Sequence, residues 1–349
     1  MEKRKSRRVK VGNIYIGGGE KITVQSMLNT PASDINGSVK QAVELEKAGC
    51  EIIRAAVPDM AAVKLIEKLK ENLTVPVVAD IHFDYRLALA SLEAGVDKIR
   101  INPGNIGSMD RVMAVANACK AKQVPIRIGV NSGSLEKEFL KKYGSPCAEA
   151  LAESAMKHIS MLEQCDFNDI IISIKSSSVP TMINAYRLVA ERCDYPLHLG
   201  VTEAGTHNMA LIKSSIGIGS LLLDGIGDTI RVSMTDDPVN EVSAANGILK
   251  AIGLKTDCPD IVSCPTCGRT KLDLIALANE VEARLSGCKK NIKVAVMGCA
   301  VNGPGEAREA DIGIAGGDGC ALIFKKGEII CKVPENEALD RLLEEIEKL

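Results

Sequence analysis

Three cysteines and a carboxylate near the end of the chain have the types and spacing of a metal centre. Cys264 and Cys267 stand in C-P-T-C-G-R (264–269), and Cys299 stands in M-G-C-A-V-N-G-P-G-E (297–306), which closes on Glu306. A two-residue gap lets both thiolates of a C-x-x-C face one centre, and Pro265 pre-sets the turn. Soft sulfur suits structural zinc and iron–sulfur clusters alike, so spacing leaves both open. The fourth ligand is open too. Cys258, Cys288, Cys320 and Cys331 are spare candidates, read as structural in favour of Glu306 in its Gly-Pro-Gly turn. Spacing by itself does not exclude Cys288 or Cys320.

A second constellation is cationic. Arg54, Arg100, Arg127, Lys175 and Arg231 each fall within or near the end of a β-rich run. Polar partners stand two residues on, hence on the same side of a strand, in Arg100/Asn102, Lys175/Ser177 and Arg231/Ser233. His82 follows Asp80 in the same register, and Asn131 stands four beyond Arg127. One such cation is commonly a salt-bridge partner. Several converging on one mouth are costly unless an anion neutralises them, and Arg forks suit phosphate oxygens bidentately. Arg54, His82, Arg100, Asn102, Arg127, Asn131, Lys175, Ser177, Arg231 and Ser233 are therefore the expected substrate-binding set, a polyphosphate cradle. Asp80 is read as a structural partner of His82.

Glu203, in V-T-E-A-G, is the odd charge out. Among cations it should be ionised when the site is empty, and bound phosphate would make it a usable proton donor. The competing reading is an ion-pair partner for Arg231 or Lys175.

These residues need a scaffold that brings strand ends together. A hairpin signal at 9–17 is followed by eight β-rich runs: Thr23–Met27, Ile52–Val57, Val77–Ile81, Lys98–Asn102, Ile126–Asn131, Ile170–Lys175, Leu197–Glu203 and Thr229–Met234. Amphipathic segments alternate with them, which predicts an α/β fold, a (β/α)8 TIM-type barrel over 1–251 with its site at the strands' C-terminal ends. A doubly wound sheet would want a Gly-rich first turn, and Gln25-Ser26-Met27 offers none. Gly217-Ile218-Gly219-Ser220 resembles a phosphate loop, but it follows the seventh helix and is read as a helix cap and turn at the opposite face. Residues 252–263 read as a linker. Residues 264–349 read as a small α+β domain with strands at 293–297, 311–315, 322–325 and 328–333. Cys50, Cys119, Cys147, Cys165 and Cys193 sit at no metal spacing and are expected to be small buried hydrophobes.

Composition narrows the partners. The chain has 349 residues, 46% hydrophobic and 25% charged, with a formal net charge of −2. That balance gives no reason to expect nucleic acid or an anionic membrane as partner. Aromatics are only 3%, with no Trp, which leaves little for base stacking. No apolar run is long enough to span a bilayer. Twelve cysteines behind a start that is no secretory signal predict a reducing, cytoplasmic setting.

The cysteine motifs, with the strand ends V-Q-S-M, D-I-H-F, R-I-N-P-G-N and T-I-R-V-S, resemble the 4-hydroxy-3-methylbut-2-enyl diphosphate synthases of the non-mevalonate isoprenoid pathway, in their compact bacterial form. The likeness runs over essentially the whole chain. It implies a [4Fe-4S] cluster on Cys264, Cys267, Cys299 and Glu306, making 264–349 an iron–sulfur domain, and proton chemistry for Glu203. It implies as reaction the two-electron reductive ring opening and dehydration of 2-C-methyl-D-erythritol 2,4-cyclodiphosphate, with ferredoxin or flavodoxin as electron donor. It also implies a head-to-tail homodimer. Chain geometry points the same way, because the last barrel helix returns to the face opposite the site and a second copy's cluster domain avoids the climb back. The alternative is a zinc-bearing phosphate-binding barrel lyase or synthase, with C-P-T-C as its structural zinc ribbon. A non-enzymatic iron–sulfur sensor would have no use for the cationic mouth.

Overall fold

The computed structural model describes residues 2–300, 305 and 307–349. The chain divides into two compact units, Met1–Leu254 and Lys255–Leu349.

The first unit opens with an antiparallel hairpin, β1 (Val9–Val11) and β2 (Ile14–Ile16). Eight parallel strands follow: β3 (Thr23–Met27), β4 (Ile52–Ala56), β5 (Val77–Asp80), β6 (Lys98–Ile101), β7 (Ile126–Asn131), β8 (Ile170–Lys175), β9 (His198–Leu199) and β10 (Thr229–Ile230). Their order is β8-β7-β6-β5-β4-β3-β10-β9. Ile172 in β8 bridges Leu197, just ahead of β9, and brings the two edges together. The expected TIM-type barrel is therefore present, with its last two strands much shorter than the sequence runs suggest.

Helices alternate with the strands: α1 (Ile35–Lys47), α2 (Val63–Asn72), α3 (Tyr85–Glu93), the single turn α4 (Pro103–Ile106), α5 (Met109–Lys122), α6 (Lys137–Tyr143), α7 (Ala148–Glu163), α8 (Val179–Arg192), α9 (His207–Leu223) and α10 (Pro238–Ala251). Their starts follow from side-chain caps. Asp34 accepts from Gly37 N, Asp84 from Arg86 N, Ser178 from Thr181 N, and Asp237 from Val239 N with Pro238 in the first turn. α6 was not expected from the sequence. The Gly217–Ser220 stretch lies inside α9 and not at its end, a correction to the cap reading. A Cβ at Gly217 would fall 2.9 Å from both Met182 and Val201 side-chain atoms, so the glycine serves close packing against α8.

Alternation along the strands sorts the side chains. Ile53, Ala55, Val77, Ala79, Ile99, Ile101, Ile126, Ile128, Ile170 and Ile172 face the helices in one large apolar core. Each fully buried Val or Ile among them contributes about 1.5–3 kcal/mol. The opposite parity fills the lumen. Its lowest layer, Ile52, Val78 and Ile171, packs on Val9, Val11 and Ile16 of the hairpin, which plugs that end. Above it the lumen turns polar, where branched aliphatics would ordinarily stack. Arg54, Asp80, Lys98, Arg100, Arg127, Ser173, Lys175 and His198 are all buried there.

The second unit is a mixed sheet ordered β11 (Asp260–Ser263), β12 (Lys293–Met297), β13 (Ile312–Gly317), β14 (Cys320–Lys325) and β15 (Glu328–Pro334). β11, β12 and β13 run parallel and the last three antiparallel. Helices α11 (Leu274–Arg284) and α12 (Ala338–Glu347) pack with one sheet face through Val281, Val294, Ile314, Leu342 and Ile346. Asp260–Ser263 therefore belong to the sheet, which corrects the reading of 252–263 as linker throughout. β14 and β15 join across Lys326 and Gly327, both at positive φ as a two-residue hairpin turn needs.

Candidate functional site

The cations gather around two buried carboxylates. Arg54 Nη2 donates to Asp80 Oδ2 at 2.7 Å, and Arg100 Nη1 to Asp80 Oδ1 at 3.1 Å. His82 Nε2 lies 3.2 Å from Asp80 Oδ2, its ring half exposed at the rim. Register explains the convergence, since Asp80 pairs with Ala56 on one side and Arg100 on the other, two residues beyond Arg54 on β4. Burial would push the Asp80 carboxyl up, but Arg54, His82 and Arg100 outweigh it and hold it well below the usual range. Asp80 is thus the hub of two guanidiniums and not merely a partner for His82.

Glu241, from the first turns of α10, is the second carboxylate, and no strand-end signal in the sequence points to it. Its Oε1 accepts from Arg231 Nη2 at 3.4 Å and Met234 N at 3.1 Å, and its Oε2 from Ser26 Oγ at 3.1 Å. Arg127 and Lys175 have no carboxylate within 4.0 Å among the described residues. Burial first, then Arg231, Arg54, Arg127 and Arg100, push the Lys175 ammonium well below the usual lysine range. The same two causes, burial and then Arg54 and Arg100, act on Arg127. Among the described residues, the ion pairs of Arg54, Lys98, Arg100, Arg127, Lys175 and Arg231 within 4.0 Å go only to Asp80 and Glu241, and this excess of cations can be offset by an anion with several oxygens.

The polar partners stand around that cluster. Asn102 Oδ1 accepts from Gly104 N at 3.0 Å and so caps α4. Asn131 pairs in register with Lys175 at the ends of β7 and β8. Ser233 is half-buried on the segment after β10, while Ser177 is exposed on the loop after β8. Glu203 is exposed with φ of +51°, in the left-handed region that non-glycine residues seldom occupy. Its loop is held by Thr235 N donating to Gly205 O at 3.0 Å. Glu203, Gly205, Arg231, Ser233 and Glu241 line a cleft of about 160 Å³. Among the described residues no ion pair forms between Glu203 and Arg231 or Lys175, so the competing reading of this carboxylate has no contact behind it.

In the second unit the two cysteine turns are stitched together. Cys264 N donates to Val296 O at 3.4 Å, Gly298 N to Cys264 Sγ at 3.1 Å, and Lys271 N to Gly298 O at 2.8 Å. Cys267 N donates to Thr270 Oγ1 at 3.2 Å. Hydrogen bonds from Arg269, backbone first and side chain second, lower the exposed Cys267 thiol from its ordinary value. Cys299 follows directly on Gly298, half-buried. Glu306 lies outside the described residues. Among the described residues no three Cys, His, Asp or Glu side chains form a group that could hold a single metal ion. The donor chemistry nevertheless fits a cluster: thiols from two adjoining turns, one receiving an N–H, one with a lowered pKa. Of the barrel cysteines expected to be buried, Cys165 is buried but Cys147 and Cys193 are only half-buried. Cys50 and Cys119 are buried on the barrel core with thiols pushed up to about 12 by burial, as inert structural residues should be.

Comparison with known proteins follows the same division. The family model described as the GcpE TIM-barrel domain matches residues 6–246, and that of the GcpE protein C-terminal domain matches residues 260–348. A protein of Clostridium perfringens (strain 13 / Type A) named 4-hydroxy-3-methylbut-2-en-1-yl diphosphate synthase (flavodoxin) is 60% identical over 349 residues, covering 100% of both chains. Its namesake in Geobacter sulfurreducens is 55% identical over 347 residues, covering 99% of this chain and 98% of that one. Among solved structures, the dihydropteroate synthase of Stenotrophomonas maltophilia superposes with a TM-score of 0.53 at 13% identity, covering 71% of this chain and 98% of that one. The 3-dehydroquinate dehydratase of Geobacillus kaustophilus HTA426 gives 0.52 at 14%, covering 72% and 99%. What these two share with the chain is the barrel fold.

Proposed function

This chain belongs to the GcpE family, and from that premise we propose that it opens the ring of 2-C-methyl-D-erythritol 2,4-cyclodiphosphate reductively, giving 4-hydroxy-3-methylbut-2-enyl diphosphate and water. The observation that carries this reading is the surplus of buried cations over carboxylates at the strand ends. Such a surplus is costly in the free protein and is relieved by a diphosphate.

In this reading Arg54 and Arg100, already aimed by Asp80, grip diphosphate oxygens as forks, and Arg127, Lys175 and Arg231 close the cradle from the other strands. His82, Asn102, Asn131, Ser177 and Ser233 supply neutral hydrogen bonds that orient the carbon skeleton. Glu203, strained and outside the ion-pair network, holds the proton that leaves with the hydroxyl as water. A [4Fe-4S] cluster on Cys264, Cys267, Cys299 and Glu306 supplies the two electrons when bound, one at a time. Flavodoxin, which the names of the relatives carry, is the electron donor proposed, with ferredoxin as the substitute. A second copy of the chain, arranged head to tail in the cytoplasm, brings its cluster domain to this barrel.

Iron, acid-labile sulfide and zinc are to be measured on protein purified without oxygen. About four iron and four sulfide per chain, with turnover of the cyclic diphosphate by reduced flavodoxin, is the expected result. About one zinc and no sulfide would remove the electron path and leave the zinc-bearing barrel.

A further inference from the structure

β9 and β10 pair only briefly, then part and meet again further along. Leu199 pairs with Ile230, and Arg231 N donates to Leu199 O at 2.9 Å. The two segments rejoin where Thr206 bridges Thr235 and Thr235 N donates to Gly205 O at 3.0 Å. Thr206 stands seven residues beyond Leu199, but Thr235 only five beyond Ile230. The β9 arm therefore carries two extra residues between the same two ties and must bow outward. That accounts for the positive φ of Glu203 (+51°) and Gly205 (+106°). At a glutamate such a conformation persists only where the surroundings enforce it. The gap between the arms is the cleft lined by Glu203, Gly205, Arg231, Ser233 and Glu241.

The two arms are anchored differently. Glu241 pins the β10 arm by itself, through Arg231 Nη2 at 3.4 Å and Met234 N at 3.1 Å. On the β9 arm Thr202 N donates to Ser176 O at 3.4 Å, and Glu203 stands between that bond and the outer tie at Gly205. Just beyond the outer tie, His207 Nδ1 lies 2.6 Å from Asp236 Oδ2. His207 is the first residue of α9, and Asp236 precedes the cap of α10. Asp236 Oδ1 accepts from Asp237 N at 2.7 Å, which turns the other oxygen to His207. The hydrogen bond from His207, then those from Asp237 N and Asn240, hold the Asp236 carboxyl below its ordinary range. An ionised carboxylate only accepts, so His207 Nδ1 carries the proton between them. An exposed pair adds little to global stability, but this one acts on a segment with few other ties. We propose that His207 and Asp236 are a positioning pair, a clasp that closes the outer end of the cleft and keeps Glu203 directed into it. The clasp touches no substrate, and its part in turnover rests on the reading of Glu203 as the proton donor.

Hydrogen exchange of the cluster-loaded protein, read by mass spectrometry over 202–207 and 233–236, tests the clasp without turnover. In His207→Ala these amides should exchange about three- to tenfold faster than in the native protein. His207→Asn, whose amide N–H can stand where Nδ1 does, should restore the native rate. Unchanged exchange in His207→Ala overturns the proposal. Kinetics then show whether the clasp acts through Glu203. His207→Ala should lower kcat about three- to tenfold while KM hardly moves, because Arg231 and Ser233 lie on the arm that Glu241 pins. Adding His207→Ala to Glu203→Gln should cost nothing further, and a full additional loss in the double variant overturns the positioning role. If Glu203→Gln alone were as fast as the native enzyme, the proton reading of Glu203 would fail, and the exchange rates would still decide the clasp.

Discussion

Gly129 leaves the place of its missing side chain to the guanidinium of Arg100. A Cβ built on Gly129 would lie 2.5 Å from Arg100 Nε and 2.7 Å from Nη2. Arg100 crosses the face of β7 there on its way to Asp80, and no other residue type leaves that path open.

Gly129→Ala is therefore expected to move Arg100 without removing it. Overpacking of this kind costs about 1–3 kcal/mol, and the guanidinium loses its alignment on Asp80. Steady-state kinetics should show KM for the cyclic diphosphate rising about tenfold or more, with the cluster content unchanged. A variant with native KM would mean that Arg100 is not a binding residue.

Asp80→Asn tests the hub. Removing one partner of a buried ion pair typically costs about 3–5 kcal/mol, because the guanidiniums of Arg54 and Arg100 stay behind uncompensated. Pyrophosphate should then stabilise the variant more than the native protein, since it supplies the missing charge. Thermal melts with and without pyrophosphate measure this, and equal stabilisation of both would contradict the cradle. In the native protein the Asp80 carboxyl is held below its ordinary range, so its contribution is complete above the unfolded pKa. It is lost as pH falls through the depressed folded value.

The strand parity was legible because eight strands obey a period of two, so spacing along each strand is enough to place Arg54, Arg100, Arg127, Lys175 and Arg231 on one side. Lys98 lies on that same side, two residues before Arg100, and could have been found by the same rule. Glu241 could not, because its role depends on α10 folding back to Arg231 and Ser26. α6 and β11 escaped for a different reason. α6 buries only Phe139 of its own residues, and β11 is an edge strand whose burial does not alternate. Neither carries a strong periodic signal. The positive φ of Glu203 is equally invisible, since nothing in V-T-E-A-G requires it at the glutamate and not at Gly205, which has it too.

The segment after β7 carries its own pH dependence. Glu136 Oε1 lies 2.8 Å from His158 Nε2, at an angle poor for a hydrogen bond, and Glu136 Oε2 accepts from Ser154 Oγ at 2.7 Å. These contacts tie the start of α6 to α7. Burial would raise the Glu136 pKa, but His158 and Ser154 bring it down to about 2. A depressed carboxylate stabilises above its unfolded pKa, so about 2–3 kcal/mol should be lost as pH falls from about 4.5 to about 2. Glu136→Gln should flatten that part of the stability curve and speed proteolysis within 132–147. An unchanged acid limb would show that the pair is not what holds α6.

Glu203→Gln separates binding from proton transfer. Glutamine keeps the size of the side chain and removes its acidity. If Glu203 provides the proton for the departing hydroxyl, kcat falls by about 10²–10⁴ while KM hardly moves. A KM effect with kcat preserved would instead make it a substrate-orienting residue.

The proposed head-to-tail arrangement has a quantitative consequence. Helix α10, the last of the first unit, follows β10 and so ends at the face opposite the strand ends that carry Arg54 and Arg231. Arg54→Ala disables the barrel, and Cys267→Ser disables the cluster. Each variant alone should be inactive. When equal amounts are co-refolded, half of the dimers are mixed, and in each of those one native barrel meets one native cluster from the other chain. About a quarter of native activity should therefore return under a trans arrangement. If each barrel used the cluster of its own chain, every chain in the mixture would carry one lesion and no activity would return.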